Sequence, residues 1–349
     1  MKLVTGVGGW PKQAPEAAHR AEEAGYDVVT CGELSHDSML TMALAATTTD
    51  RVELQTSVTI AFPRSPMVLA MEAWDIQHLS NGRFSLGLGT QVKGHNERRF
   101  GGTWSPPAPR MREYIDMMRA VWDSWQNRTR PDFVGKHYRY TLMSPNFDPG
   151  PLDVPFPKVG LAMVGPGMGR VGGERADVIM PHGGIMSDRY MREVLLPSVR
   201  DGLVSAGRTW ADVEIAASGY LIVYDDESEI ENRMMGMRQA LSFYGSTRTY
   251  HGVLELHGLD DLGHKLHSLS LQGRWDEMRE AVPLDAIAEL TQVCSYDDLP
   301  QFLADQREYA SRFSFAMAVR SEEDKERLDD LRQRIRAVET RGVPRHLEV

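Results

Sequence analysis

The sequence predicts an α/β fold and, within that class, a closed (β/α)8 barrel. Short apolar or β-branched runs alternate with longer segments of helical period, which is the pattern of a parallel sheet with crossover helices. Most of these runs are apolar throughout, as strands covered on both faces must be. We count eight of them, and eight right-handed β/α repeats close into a barrel.

The eight predicted strands are spread over the whole chain. They are Leu3–Gly8, Asp27–Gly32, Val52–Ile60, Arg83–Gly89, Lys158–Val164, Ala176–Met180, Val213–Val223 and Phe313–Ala318. The predicted helices are Ala14–Ala24, Ser38–Thr48, Ser65–Leu79, Arg110–Trp125, Arg189–Ala206 and Glu227–Tyr244. A segment rich in charged residues, Ser321–Thr340, predicts a further, solvated helix.

The length of the chain predicts insertions into the barrel. A bare barrel requires about 250 residues, whereas the chain has 349. We place the insertions at Gln91–Tyr140, after strand four, and at Gly245–Gln301, before strand eight. Residues 1–349 are expected to form one domain.

Composition and charge exclude several classes of protein. Hydrophobic residues make up 42% of the chain and charged residues 25%, as in ordinary globular proteins. The first residues lack an apolar signal segment, and no run reaches the roughly 18 apolar residues of a spanning helix, which predicts a cytoplasmic protein without membrane contact. Cys31 and Cys294 lack the spacing of a thiolate metal site. The net charge of -10 disfavours nucleic acid as a partner.

The loop after strand two carries residues suited to acid–base chemistry. Catalysis in such barrels takes place at the C-terminal ends of the strands. The segment CGELSHDSML places Glu33, His36 and Asp37 at one of these ends. A histidine can act there as a general acid or base, because its ordinary pKa is about 6.5. The alternative is that His36 and Asp37 cap the following helix.

Small residues follow strands three and four. Thr56 and Ser57 would let a flat ring approach the backbone, and the alternative is a tightly packed strand. Strand four ends in LGLGT at Gly89 and Thr90, which suits close approach of a ligand to the backbone. Positive charge follows on Lys93, His95, Arg98 and Arg99.

The glycines after strand five have the spacing G-x-G-x-x-G, at Gly167, Gly169 and Gly172. A dinucleotide-binding fold would also need an acidic residue at the end of the next strand, but that strand runs into PHGG. Glycines at a helix N-terminus still predict a phosphate-binding cradle.

The chain has no nucleophile elbow, HExxH motif or P-loop lysine. The histidines between residues 251 and 267 lack metal-ligand spacing, so we expect no metal site.

Several segments together resemble the luciferase-like monooxygenase superfamily. The longest is residues 52–101, with S-x-G-R-F at the start of strand four and LGLGT at its end. Others are RMREY at residue 110, GKHYR at residue 135, and FPKVGLAMVGPGMGRVGGERADVIM. The segments QALSFYGSTRTY and VLELHGLDDLGHKL also resemble a subgroup of deazaflavin-dependent oxidoreductases. The resemblance extends over nearly the whole chain.

The resemblance implies a barrel of the bacterial luciferase-like type that holds coenzyme F420, or alternatively FMN, at its C-terminal face. In this family strand three often carries a non-prolyl cis peptide bond behind the ring, and the matching bond is Ser57–Val58. The catalytic histidine would be His36, assisted by Glu33 or Asp37. The cofactor-binding positions carried over are Ser57, Val58, Gly89, Thr90, Gln91, His95, Val164, Gly165, Pro166 and Gly167.

The implied activity is hydride transfer between coenzyme F420 and a small organic substrate, in a homodimer. The substrate would be a carbonyl compound, alcohol, imine or activated double bond. One alternative is an FMN-dependent monooxygenase that uses O2 and a separate flavin reductase. Another is a barrel that binds its cofactor without turnover. Gln91 replaces the acidic residue of related sugar-phosphate dehydrogenases, and PHGGIMSD lacks their phosphate-binding lysine, which argues against a phosphorylated sugar.

Overall fold

Eight parallel strands form the barrel wall in the computed structural model, which describes residues 1–315, 317 and 321–347. The strands of these residues are β1 (Lys2–Gly6), β2 (Val28–Cys31), β3 (Glu53–Thr56), β4 (Thr59–Ile60), β5 (Phe84–Gly89), β6 (Phe133–Val134), β7 (Arg139–Tyr140), β8 (Lys158–Met163), β9 (Val178–Pro181), β10 (Glu214–Ile215), β11 (Tyr220–Tyr224), β12 (Thr291–Ser295) and β13 (Arg312–Ser314). β6 and β7 form an antiparallel hairpin, and β11 pairs with β12 in a separate parallel sheet.

The barrel closes between β10 and β13. The wall runs from β13 through β1, β2, β3, β5, β8 and β9 to β10, and β4 extends β3 alongside β5. At the closure the Ser311 amide donates to the Ile215 carbonyl at 2.9 Å, and the Ala217 amide donates to the Arg312 carbonyl at 2.7 Å. Ala216 and Arg312 form a parallel bridge. The predicted (β/α)8 fold class is therefore confirmed.

The prediction for strand seven is wrong in its extent. We expected one strand over Val213–Val223, but β10 ends at Ile215 and the chain turns before β11 joins the second sheet. Gly219, at the turn, has a φ of 105°, a conformation that favours glycine. A continuous apolar run does not distinguish one long strand from two short strands in different sheets. The partner strand β12 was not predicted.

Strand eight lies close to its predicted position. The prediction began at Phe313, and β13 comprises Arg312–Ser314. Ala316 and Ala318, at the end of the predicted strand, lie outside the described residues.

Helices cover the outside of the wall. Those of the described residues are α1 (Ala14–Glu23), α2 (Ser38–Ala46), α3 (Pro66–Leu79), α4 (Lys93–Arg98), α5 (Pro107–Asn127), α6 (Pro166–Arg175), α7 (Asp188–Tyr190), α8 (Leu196–Ser205), α9 (Glu229–Gly245), α10 (His251–Leu256), α11 (Asp260–Leu271), α12 (Trp275–Glu280), α13 (Leu284–Leu290), α14 (Leu299–Gln306) and α15 (Glu322–Arg336). Each helix predicted from periodicity is present. None in the described part of the chain is long and apolar enough to cross a membrane.

Helix α6 was not among the helices predicted from periodicity, although its N-terminus was expected after strand five, because its sequence PGMGRVGGER is rich in glycine. Close packing against α8 explains the composition. A Cβ atom at Gly173 would lie 2.0 Å from the Val199 carbonyl oxygen, and one at Gly202 would lie 2.1 Å from the Arg170 carbonyl oxygen. The two helices therefore approach each other backbone to backbone, and this contact overrides the low helix propensity of glycine.

A buried arginine crosses the amino-terminal end of the barrel. The Arg312 side chain is 1% exposed and donates to Glu214 Oε2 at 2.7 Å and to Glu53 Oε2 at 3.0 Å. Burial would lower the pKa of the Arg312 guanidinium, but Glu53 and Glu214 raise it. Lys2 and Lys158 also contact Glu214, at 2.8 and 2.6 Å. Burial would raise the pKa of Glu214, yet Arg312 and these lysines hold it well below its ordinary value.

Replacement of Arg312 tests the importance of this cluster. In Arg312→Met two carboxylates lose a buried cation, so we expect the free energy of unfolding in urea to fall by about 3–5 kcal/mol. The control is Arg20→Met on the exposed face of α1, where an ion pair with Glu16 contributes about 1 kcal/mol or less. An equal decrease in the free energy of unfolding in the two variants would contradict a special role for Arg312.

Candidate active site

The carboxyl ends of the barrel strands meet at one end of the molecule, which we call the mouth. Six of these strands end at Gly6, Cys31, Ile60, Gly89, Met163 and Pro181. The candidate residues after strands two to five therefore lie on loops at the mouth. β2 and β9 are four strands apart in the wall, so the loops that follow them lie on opposite sides of the mouth.

His36 lies at the mouth against Trp10, on the loop after β1. The centroids of the two rings are 4.4 Å apart. The His36 side chain is half-buried, and no hydrogen bond joins either imidazole nitrogen to another of the described residues. The cap of α2 is Asp37 and not His36. This tilted ring contact thus orients the imidazole while both nitrogens stay available to a ligand.

Glu33 and Asp37 are bound by Arg64. The two terminal nitrogens of Arg64 donate to Glu33 Oε2 and Oε1 at 2.9 and 2.6 Å, and Nη2 also donates to Asp37 Oδ2 at 2.5 Å. Glu33 Oε2 accepts the Ile60 amide at 2.6 Å, and Asp37 Oδ1 accepts the Leu40 amide at 2.8 Å. The capping interpretation of Asp37 is therefore confirmed. Both carboxylates fix the loop that carries His36.

Glu72 of α3 adds a third carboxylate to this cluster. Burial raises the pKa of Glu72, and the Arg64 guanidinium opposes that rise. Its Oε2 atom is buried without a hydrogen-bond partner among the described residues. Burial would lower the pKa of Arg64, but Glu33 and Asp37 raise it. Arg64 is consequently a cation that joins the loop after β4 to the loop after β2 and acts on Glu72 of α3 through space.

A bulge separates β3 from β4. The Ser57–Val58 peptide bond is cis, as the resemblance implies. Ser57 is exposed and Val58 is half-buried. A Cβ atom at Gly89, on the neighbouring strand β5, would lie 2.4 Å from Val58 Cγ2. The glycine of the LGLGT segment is thus required by the bulge, because Val58 fills the space that a side chain would need.

A buried asparagine shapes the loop after β5. Asn96 is 2% exposed, and its Nδ2 donates to the Thr90 and Val92 carbonyls at 2.9 and 3.1 Å. Gln91 adopts a φ of 54°, in the left-handed region. Thr90 and Gln91 are half-buried at the mouth. Asn96 was not predicted as a site residue, since its role depends on the path of the loop.

The loop after β8 leads into the N-terminus of α6. Gly165 is the N-cap residue and Pro166 the first helical residue. The first amides of a helix lack intrahelical partners and carry partial positive charge, which suits a phosphate group. A Cβ atom at Gly165 would meet nothing within 4 Å, Gly167 is exposed, and Val164 is 7% exposed. This helix end is therefore open, and β8 lies beside β5.

The basic residues after β5 have different surroundings. Lys93 lies 3.9 Å from Glu97 on the same helix. Arg99 donates to the Leu34 carbonyl at 2.8 Å and so links two loops of the mouth. His95 is half-buried on α4, and Arg98 is exposed there.

A second histidine, which was not predicted as a site residue, lies opposite His36. His182 follows β9, and its ring packs against those of Tyr244 and Tyr250 at centroid distances of 4.6 and 5.4 Å. Burial lowers the pKa of His182. Its position in PHGG, directly after a predicted strand, was the signal that could have identified it.

Two surface hollows of about 580 and 860 Å³ lie at the other, amino-terminal end of the barrel. Charged residues that already have partners line them, including Lys158 with Glu214 and Arg336 with Asp27. In these barrels the amino-terminal face serves stability and the carboxyl face serves chemistry. The mouth therefore remains the candidate active site.

The family model of luciferase-like monooxygenases matches residues 4–309. A protein of Mycobacterium tuberculosis described only as uncharacterised is 41% identical over 266 residues, which are 76% of this chain and 78% of that protein. A second protein of the same organism, named for a proposed coenzyme F420-dependent oxidoreductase activity, is 29% identical and spans 87% of this chain and 91% of its own length. The chain belongs to the luciferase-like monooxygenase family.

Two solved structures share the fold. The coenzyme F420-dependent tetrahydromethanopterin reductase from Methanopyrus kandleri superposes with a TM-score of 0.71 and 17% identity over 99% of both chains. Riboflavin lyase, solved with modified FMN and riboflavin, gives a TM-score of 0.69 and 12% identity over 99% of this chain and 93% of that chain. At these identities the likeness is one of fold alone.

Gly89→Ala tests the contact between β5 and the bulge. The added methyl group would overlap Val58, so we expect a loss of about 1–3 kcal/mol in the free energy of unfolding. Gly8→Ala is the control, because its Cβ atom would meet nothing within 4 Å. Urea unfolding of both variants measures the difference. Equal stability of Gly89→Ala and the parent protein would show that the bulge moves aside freely.

Proposed function

We propose that this protein is a coenzyme F420-dependent oxidoreductase that transfers a hydride between the deazaflavin and a small organic substrate. The substrate would be a carbonyl compound, alcohol, imine or activated double bond. One observation carries the proposal: the residues suited to proton transfer and cofactor binding follow consecutive strands of the wall, all at the mouth. His36 follows β2, the Ser57–Val58 bulge follows β3, and the open loops follow β5 and β8. Family membership and the F420-related name of one relative support the choice of class.

The residues at the mouth fit a flavin-like cofactor. The exposed Ser57 and half-buried Val58 form a small surface on which a flat ring can rest. The open N-terminus of α6 and the loop at Thr90 would bind a phosphate group of its side chain. Arg98, which is exposed beside this loop, would meet an acidic tail. When bound, the deazaflavin supplies the two-electron hydride chemistry that protein side chains lack.

His36 would move the proton that accompanies the hydride. In carbonyl reduction a protonated ring nitrogen of His36 donates to the substrate oxygen, and in alcohol oxidation the neutral imidazole accepts the hydroxyl proton. Trp10 orients the ring by a tilted ring-to-ring contact. Glu33 and Asp37 assist by positioning the loop, because Arg64 binds both carboxylates.

Titration of the purified protein with coenzyme F420 and, separately, with FMN tests the cofactor. We expect F420 to quench the intrinsic fluorescence and to bind more tightly than FMN, because basic side chains near α4 favour its acidic tail. This preference should weaken as salt concentration rises, since exposed charges are screened. A preference for FMN would contradict the proposal. It would favour an FMN-dependent monooxygenase supplied by a separate reductase.

His36→Ala tests the proton-transfer step. Loss of a general acid or base lowers kcat by about 10²- to 10⁴-fold, while the dissociation constant of the cofactor should change little. The control is His78→Ala, at the exposed C-terminal end of α3 and away from the mouth. Steady-state kinetics and cofactor titration of both variants measure the two quantities. An unchanged kcat in His36→Ala would remove this residue from the mechanism.

A further inference from the structure

The side of the mouth opposite His36 is built partly from the insertion before β13. Tyr244 lies in the last turn of α9, and Tyr250 ends the short 3-10 turn that leads into α10. Both rings pack against His182, after β9. All three side chains are half-buried, so each keeps accessible surface. We call these three residues the His182 subsite.

His182 presents a neutral hydrogen-bond donor. Its Nδ1 atom accepts the Gly184 amide at 3.1 Å, which places the ring proton on Nε2. Burial lowers the pKa of His182, which favours the uncharged ring. An uncharged Nε2–H donates well to a carbonyl or hydroxyl oxygen. It supplies no charge to balance a phosphate or carboxylate.

Two sets of contacts hold the insertion against the loop that carries His182. Ser187 Oγ lies 2.7 Å from His257 Nε2, and His257 Nδ1 lies 2.8 Å from Glu289 Oε1. Arg189 Nη1 donates to the Leu256 carbonyl at 2.9 Å. These contacts join the loop after β9 to α10 and α13. The subsite is consequently preformed, which reduces the entropy lost when a ligand binds.

We propose that the His182 subsite selects the substrate, with His182 Nε2–H donating to an oxygen of an uncharged molecule and the two tyrosine rings contacting its flat apolar body. The proposal rests on the proposed function, because the substrate it describes is the one that reacts at this mouth. In the part of the chain that the structure describes, the rings against His182 are those of tyrosines. An aryl ketone or aryl alcohol fits this chemistry, and a phosphorylated or carboxylated compound does not.

Nuclear magnetic resonance of the full-length chain labelled with 15N-histidine tests the selection. The probes are acetophenone, an uncharged aryl ketone, and phenyl phosphate, an anion of similar size. The spectrum of His182→Phe identifies the His182 signal by its loss. We expect acetophenone to shift the Nε2 signal of His182 in a saturable manner, and phenyl phosphate to leave it in place. A shift with phenyl phosphate, or none with acetophenone, overturns the proposal.

The titration is run both with and without saturating coenzyme F420, so that two failures can be told apart. If F420 does not bind, the proposed function fails, and the titration without cofactor still decides whether His182 binds the ketone. If F420 binds and acetophenone moves no His182 signal in either titration, the proposed function stands and the subsite assignment fails.

Kinetics of the F420-loaded enzyme with acetophenone give an independent readout. Loss of one neutral hydrogen bond in His182→Phe raises KM by about 3- to 10-fold, with a smaller effect on kcat and none on F420 affinity. His182→Gln should restore KM, because its side-chain amide can replace the Nε2–H donor. His78→Phe, away from the mouth, is the matched control. If the KM of His182→Phe equals that of the parent protein, or if His182→Gln does not restore the parental KM, a binding role of His182 is contradicted.

Discussion

Closure of the barrel at Arg312 is the constraint on which the rest of the structure depends. The backbone of Arg312, in β13, pairs with β1 on one side and forms a bridge with Ala216, next to β10, on the other. Its guanidinium binds Glu53 of β3 and Glu214 of β10. The same group donates to Gln55 Oε1 at 2.7 Å. Opening the wall would separate the half-buried carboxylates of Glu53 and Glu214 from the buried Arg312 guanidinium, which is costly. The cluster therefore fixes the circumference of the barrel from the amino-terminal end.

A fixed circumference determines which loops meet at the mouth. The loops after β2, β3, β5 and β8 become consecutive neighbours, and the loop after β9 lies opposite the first of them. The two histidines at these opposite positions have different surroundings. His36 packs against an exposed tryptophan, whereas His182 packs against two tyrosines and its pKa is lowered by burial. In the proposed function His36 exchanges a proton, and in the further proposal His182 only donates a hydrogen bond.

Close backbone approach is the second recurring feature of the mouth. A Cβ atom at Gly87 would lie 1.9 Å from the Thr56 carbonyl oxygen, and one at Gly89 would lie 2.4 Å from Val58 Cγ2, an atom of the side chain. These contacts place the bulge beside the loop at Thr90, where a phosphate would bind in the proposal. The glycines of α6 similarly bring that helix close to α8. At Gly87, Gly173 and Gly202 the absence of a side chain thus allows two main chains to touch.

The sequence by itself determined the fold class and the end of the barrel that carries the site, because strand and helix periods are local properties and His36, Gly89 and Gly165 directly follow recognisable strands. Only the tertiary structure decided the role of Glu33, since its partner Arg64 is 31 residues away. The same holds for His182 and Tyr244, which come from a strand end and the end of α9, and for strand seven, whose two halves join different sheets. In each case the deciding contact is made between residues far apart in the chain, and neither local propensity nor spacing encodes such a contact.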